Sequence, residues 1–333
     1  MKKLFSFWFI LPVLFSCSGN NESVSMECIS VETICRLDES ETLVGNVGSL
    51  CMIDSTRFAI VSNYEKVLLF DKTGHLIRQI GTPGNANYEY NKPMIVRSNG
   101  KFIFVWSAHS GRFICFTTEG EPIEQYTYRS AVRDFIVSDS QLFIYTSGNR
   151  KERIIDIFDM AESKVVQALS PSSDIHQTQL SWVSCAPMTI VPEGLLYMPM
   201  DELRIVLYNE RLRTENTLTT IQSKTFHIEE AKYSKLSTKE KLSILDKNSH
   251  PAVLSKIGNN IGLFVLEGDG ENNGWFYSSY LIHMDGSYSQ KFIDYESLTS
   301  PYLFSYSEGY LYFIKRVEKG DDEEYWLLRT NDF

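Results

Sequence analysis

Apolar and polar positions along this 333-residue chain repeat one unit: an apolar run, a short polar turn and a second apolar run. The unit occurs in MIDSTRFAIV, IVRSNGKFIFV, FIVSDSQLFIY, TIVPEGLLYM, SKIGNNIGLFVL and LFSYSEGYLYFI, with turns near Asp54, Asn99, Asp139, Glu193, Asn259 and Glu308. Each predicts a β-hairpin. A third strand follows each hairpin and ends on an apolar residue before another turn, at Phe70, Phe116, Phe158, Tyr208, Ile282 and Leu328. Four of the five intervals between these ends lie between 42 and 50 residues, the spacing of a blade-by-blade array. The fifth spans 74 residues. It contains His227 to His250, a stretch without strand alternation in which Ser237 and Glu240 form a capping box. Removing that helical insertion restores the period.

A fourth strand follows most of the turns, in HLIRQI, PIEQYTY, KVVQAL and YSQKFIDY. The sixth unit has none, because only five residues remain after Leu328. An open ring would expose a sheet edge. Cys28 to Leu37 is an unassigned strand-like segment ahead of the first hairpin, and it is predicted to complete the sixth blade. The expected fold is an all-β, six-bladed β-propeller with a short helical insertion at about 227–250, its ring closed by an N-terminal strand. The heavy content of Phe and Tyr suits the wedges between splayed blades. Trp106, Trp275 and Trp326 lie in or beside strand patterns and read as core rather than as a sugar-stacking platform.

The N-terminus has a different pattern. Lys2 and Lys3 precede an apolar stretch from Leu4 to Phe15, followed by Ser16 and Cys17, which reads as a secretory signal too short to span a bilayer. Leu14-Phe15-Ser16-Cys17 resembles the bacterial lipobox, which implies acylation of Cys17 and a membrane contact made by lipid alone. The predicted organisation is a lipoprotein signal peptide over 1–16, a lipidated polar tether over 17–27 and the propeller over 28–333. The expected location is the bacterial cell envelope, lipid-anchored at the outer membrane, facing either the periplasm or the exterior.

Charge narrows the partners. The formal net charge is −10, and loss of the two leader lysines makes the remainder more acidic, which disfavours nucleic acid. The cysteines beyond Cys17 are Cys28, Cys35, Cys51, Cys115 and Cys185, an odd set without CxxC or Cys/His spacing. Neither a disulfide framework nor structural zinc is indicated. No HExxH, Gly-x-Ser-x-Gly elbow or glycine-rich phosphate cradle occurs, so no catalytic residue, metal ligand or cofactor is assigned. Glu267, Asp269 and Glu271 alternate in EGDGENNG and could face a calcium ion, although the spacing is not that of an EF-hand and reads as an acidic turn.

The segment FDKTGHLIRQIGTPGNANYEYNKP resembles that of six-bladed β-propeller lipoproteins related to NHL-repeat and TolB-like propellers. Phe70, Asp71, Gly74, Ile80, Gly81, Gly84, Glu89, Tyr90 and Pro93 fill the pattern, and Ala86-Asn87-Tyr88 replaces its usual Gly-Pro-Gly. The resemblance implies the fold and leaves activity open, since one fold hosts many chemistries.

Candidate binding residues lie where loops gather at one mouth of the channel. Asn63, Tyr64, His109, Asn149, Arg150 and Asp201 are in or beside such loops, and Arg133 and Asp134 are placed on the innermost strand of the third blade, facing the channel. The sequence reading is a noncatalytic binding or scaffold module for a protein, peptide or glycan. Its alternative is a metal-dependent hydrolase or lyase with ligands converging in the channel, where the inner strands offer mainly Arg97, Arg133, Asp134, Ser184 and Lys256.

Overall fold

The computed structural model describes residues 30–146, 153–169, 187–199, 201–223, 226–229, 235–245, 247–269, 274–283, 287–294, 304–319 and 322–330. The first strand among the described residues is β1 (Glu32–Arg36), which joins the last blade. Blade 1 comprises β2 (Val47–Met52), β3 (Arg57–Ser62), β4 (Lys66–Asp71) and β5 (Leu76–Gln79). A two-stranded parallel strap, β6 (Thr82–Pro83) and β7 (Glu89–Tyr90), leads to blade 2. That blade holds β8 (Pro93–Ser98), β9 (Phe102–Ser107), β10 (Arg112–Thr117) and β11 (Pro122–Thr127). Blade 3 holds β12 (Val132–Val137), β13 (Gln141–Thr146), β14 (Ile155–Asp159) and β15 (Lys164–Leu169). Blade 4 holds β16 (Met188–Val191), β17 (Gly194–Tyr197), β18 (Arg204–Asn209) and β19 (Thr214–Thr220). Helix α1 (Thr238–Leu245) precedes blade 5, formed by β20 (His250–Ile257), β21 (Asn260–Asp269), β22 (Gly274–Ile282) and β23 (Tyr288–Asp294). Blade 6 is β24 (Phe304–Ser307), β25 (Tyr310–Lys319) and β26 (Asp322–Thr330), completed by β1. The first strands of successive blades are neighbours around the ring, and β2 meets β24 to close it.

The period in the sequence has a local cause. In each of the first four blades the residue ending the third strand caps the turn that follows. Asp71 accepts the backbone N–H of Thr73 at 2.9 Å and of His75 at 3.1 Å. Thr117 accepts from Glu119 and Glu121, Asp159 from Glu162, and Asn209 from Leu212. Short polar side chains fold the chain back in this way because they offer the turn an acceptor that its own backbone lacks.

Closure of the ring depends on one of those turns. β1 runs antiparallel to β26, from Glu32 opposite Arg329 to Arg36 opposite Trp326. The Leu37 N–H donates to the Tyr325 carbonyl at 2.8 Å, and the Asp38 N–H to the Gly74 carbonyl at 2.8 Å. Gly74 lies at φ +90°, and a Cβ there would stand 2.0 Å from the Arg36 carbonyl oxygen. Only glycine permits both that conformation and that approach. Gly74 therefore fits blade 1 against the segment that shuts blade 6.

Outer strands end each sheet, and five of the six share a second device. Pairing skips Ile34 in β1, Ile77 in β5, Ile123 in β11, Val166 in β15 and Leu218 in β19. Such bulges twist an edge away from further pairing. β19 carries the TENTLTT run, exposed along almost its whole length. Its lack of an apolar face explains why hydrophobic patterning does not mark it.

The wedges between blades are aromatic as expected: Phe58 stacks on Phe70 at 5.5 Å and Phe264 on Tyr277 at 4.9 Å between ring centres. Trp106 is buried and packs 4.6 Å from Phe113. The side chain of Trp275 lies outside the described residues, and Trp326 is partly buried against the core.

Among the described residues of 227–250, the α-helix covers Thr238–Leu245. α1 has eight residues, and its capping box forms, with the Ser237 N–H donating to Glu240 at 2.8 Å and the Glu240 N–H to the Ser237 hydroxyl at 3.4 Å. His250 opens β20. The neck is pinned because the Ser249 N–H donates to the His227 carbonyl at 2.7 Å and the His227 N–H to the Ser249 hydroxyl at 2.9 Å.

Cys35, Cys51 and Cys115 are buried and unbridged. Burial, with a contribution from Asp71, pushes Cys35 up to about 11; burial, against the Arg97 charge and the Ser98 backbone, takes Cys51 to about 11, and burial helped by Glu124 takes Cys115 to about 12. Thiols so protonated are poor nucleophiles. Iodoacetamide at about pH 8 is expected to spare all three in the native chain and label them after denaturation, as read by peptide mass mapping. Labelling of native Cys51 would show that the channel opens more widely than its walls suggest.

Candidate functional site

In an antiparallel blade, turns between the second and third strands lie at the same end as the connections entering the next blade. That end is the upper face. The turns and entries are tied together there: the Asn63 N–H donates to the Asn46 carbonyl at 2.8 Å, the His109 N–H to Asn91 at 3.2 Å and the Met198 N–H to Pro187 at 3.0 Å. Asn63 and Tyr64 form the centre of a tight turn, both at positive φ. The Asn63 side chain accepts the Asn46 N–H at 2.8 Å, and the Tyr64 ring fills the space that a Cβ on Gly48 would need. Both residues thus hold blade 1 together. Asp201 lies half-buried in the β17–β18 turn beside the Glu202–Arg204 ion pair. Asn149, Arg150, Ser184, Glu271 and Cys17 lie outside the described residues.

The channel cavity measures about 290 Å³, and the inner strand of every blade lines it. Its charged members are Arg97 and Asp134, which pair at 2.7 Å between blades 2 and 3. Arg97 also donates to the Ser49 hydroxyl at 3.1 Å and to the Leu50 carbonyl at 3.3 Å, tying in blade 1. Asp134 accepts the Phe135 N–H at 2.8 Å. Both ions are largely withdrawn from solvent, and each is the neutralising partner of the other. Among the described residues no three His, Cys, Asp or Glu side chains converge as metal ligands.

Glu267 is not part of an acidic turn. β21 runs on to Asp269, and Glu267 is fully buried, accepting the Tyr280 hydroxyl at 2.7 Å. Tyr280 in turn accepts from Gln290 at 2.8 Å. The long strand withdraws this carboxylate from the solvent-facing array suggested by the sequence.

Arg133 does not share the channel with Asp134. Pairing between β12 and β13 skips Arg133, as it skips Gly48 in β2, Met94 in β8 and Ala252 in β20. Such a bulge re-aims one side chain relative to its neighbours. Asp134 lines the channel, whereas Arg133 lines a separate upper-face cleft between blades 2 and 3, of about 730 Å³. His109 is on the same cleft, together with Arg112 from β10 and Arg129 from the connection into blade 3.

The cleft has a rigid floor. Phe113 packs 4.9 Å from Phe135, and Tyr128 packs 5.9 Å from Phe113 and 6.3 Å from Phe158. The buried Tyr128 hydroxyl donates to Asp156 at 2.8 Å, and Arg153 pairs with the other Asp156 oxygen at 3.0 Å. Burial and then the Asp156 charge raise the Tyr128 phenol well above the ordinary tyrosine range. Arg112 and Arg129 lack any apolar run or motif that would mark them. Their common feature is position, one just after a second-to-third-strand turn and the other just before the next inner strand.

Comparison with known proteins places this architecture. Residues 16–153 match the DUF5128 family model, described as a 6-bladed beta-propeller. A solved structure of a Bacteroides fragilis protein described as exported has a TM-score of 0.61 at 13% identity, covering 93% of this chain and 97% of that one. A member of the DUF4221 family from Bacteroides vulgatus has a TM-score of 0.62 at 11% identity, covering 91% and 98%. No curated protein matches the chain. At these identities the structural likeness is one of fold.

Proposed function

We propose that this chain is an exported, lipid-anchored propeller, kin to the NHL-repeat and TolB-like lipoproteins, that acts as a noncatalytic binding module for a protein, peptide or glycan. The observation that carries this reading is the pair of cavities. The charged residues of the channel are internally paired, while the upper-face cleft is larger, open and built on an aromatic floor. Pre-formed concavities of this size are the usual seats of ligands. The basic and apolar leader ending at Cys17 supports export and anchoring, and the similar Bacteroides fragilis protein is itself described as exported. Attachment through acyl chains on Cys17 leaves the folded body in the aqueous envelope with the cleft accessible.

Binding of the purified protein to glycan and peptide arrays, beside Ala131→Trp, tests the reading. Ala131 lines the cleft and is exposed, so a large ring there fills the space without removing a core contact. The expected result is retention of one ligand class by the natural chain and its loss in the variant. A tightly held stoichiometric metal with hydrolysis or elimination of a retained ligand would overturn the proposal in favour of a metal-dependent enzyme.

A further inference from the structure

The chain carries 42 acidic against 32 basic residues, yet among the described residues the lining of the cleft between blades 2 and 3 includes Arg112, Arg129, Arg133 and His109 and no carboxylate. Such segregation is opposite to the net charge of the molecule. Two buried carboxylates of blade 3 have partners of their own: Asp134 binds Arg97 across the channel, and Asp156 binds Tyr128 and Arg153. Arg112 reaches the Ala86 carbonyl at 3.2 Å, which fixes its fork without neutralising it.

The bulge at Arg133 adds an independent observation. Its counterparts in the other bulged inner strands are Gly48, Met94 and Ala252, none of them charged. Blade 3 thus puts a guanidinium where other blades put a small or apolar side chain, and the adjacent Asp134 is fastened to blade 2 on the opposite side of the strand. Burial lowers Arg133 below the ordinary arginine range, though a guanidinium stays charged at neutral pH. A cation held partly out of water gains more from an anion than an exposed one does.

We propose that this cleft binds the oxyanion group of a small carboxylate- or phosphate-bearing ligand, with Arg133 and Arg129 as its principal donors and Arg112 and His109 at the rim. The proposal rests on the upper face being a binding surface and assigns the chemistry of what binds there. Arginine suits both anions because its planar fork donates two parallel hydrogen bonds.

Isothermal titration with citrate and, separately, with inorganic pyrophosphate at about 20 mM NaCl tests it, where screening is weak. The expected result is saturable binding of at least one probe, weakened roughly tenfold or more by Arg129→Gln/Arg133→Gln and suppressed at about 0.5 M NaCl. Tighter citrate binding identifies a carboxylate ligand, and tighter pyrophosphate binding a phosphate ligand. Arg129→Glu, at an exposed position, tests the point without disturbing the core and should lower affinity at least as much. Absence of binding by both probes, or undiminished affinity in Arg129→Glu, overturns the proposal. Array binding that is lost in Ala131→Trp but unaffected by the arginine variants would remove the anion assignment and leave the binding-module reading standing.

Discussion

Deleting residues 30–37 is expected to lower the thermal midpoint by roughly 10 °C, about 5 kcal/mol for a domain of this size. The deletion takes away the strand opposite Trp326 to Arg329 and, with it, the buried Cys35 and Leu37. It uncovers Tyr325 and Leu327, which share their wedge with Phe58 and Phe70 of blade 1. It also leaves β26 as a nine-residue edge with unpaired backbone groups, so concentration-dependent association should accompany the loss of stability. Gly74→Val attacks the same junction from blade 1, because its Cβ would meet the Arg36 carbonyl at 2.0 Å. Differential scanning calorimetry with light scattering reads both effects. A deletion variant that melts with the natural chain and stays dispersed would show that the ring does not depend on this latch.

The channel ion pair supplies the second large effect. Asp134→Ala is expected to cost about 3 kcal/mol, because removing one partner leaves the other charge buried without its compensation. Asp134 is 4% exposed and bridges the inner strands of adjacent blades through Arg97. Replacing both ions, as Arg97→Met with Asp134→Leu, is expected to cost less than half as much, since apolar side chains of similar volume need no counter-charge. Denaturant unfolding of the two variants decides the point. Equal losses would mean that packing, rather than charge, holds this junction.

The conformation of the strap between blades 1 and 2 shows how the family-like motif works. Tyr90 is fully buried, and its hydroxyl accepts the Val67 N–H at 3.3 Å, while Glu89 accepts the Ala86 N–H at 2.8 Å. Burial raises the Tyr90 phenol to about 12, against hydrogen bonds from Val67 and Gln79. Tyr88 takes a positive φ of 64°, a conformation that suits glycine best, and its N–H donates to Gln125 at 3.0 Å. The motif residues are thus internal ties of the fold. They position the neighbouring cleft without lining it.

Candidate site residues were legible only by their face. His109 and Arg133 share a cleft, whereas Asn63 and Tyr64 hold a turn and Asp134 turns into the channel. Placing Asp134 in the channel and Arg133 in the cleft required knowing that pairing skips Arg133 on the inner strand. Arg112 and Arg129 lie 17 positions apart in different segments and meet because blade 2 delivers its turn beside the entry to blade 3.

By itself the sequence determined the number of blades, the turns that follow the third strands, the capped helix and the strand that shuts the ring. Each of these follows from local periodicity, or from one missing strand in an otherwise complete count. Tertiary structure alone decided which charges neutralise one another and which gather in a cleft. Those outcomes depend on register shifts and on contacts between blades, and pairwise neighbours across a ring leave no spacing in the chain that produces them.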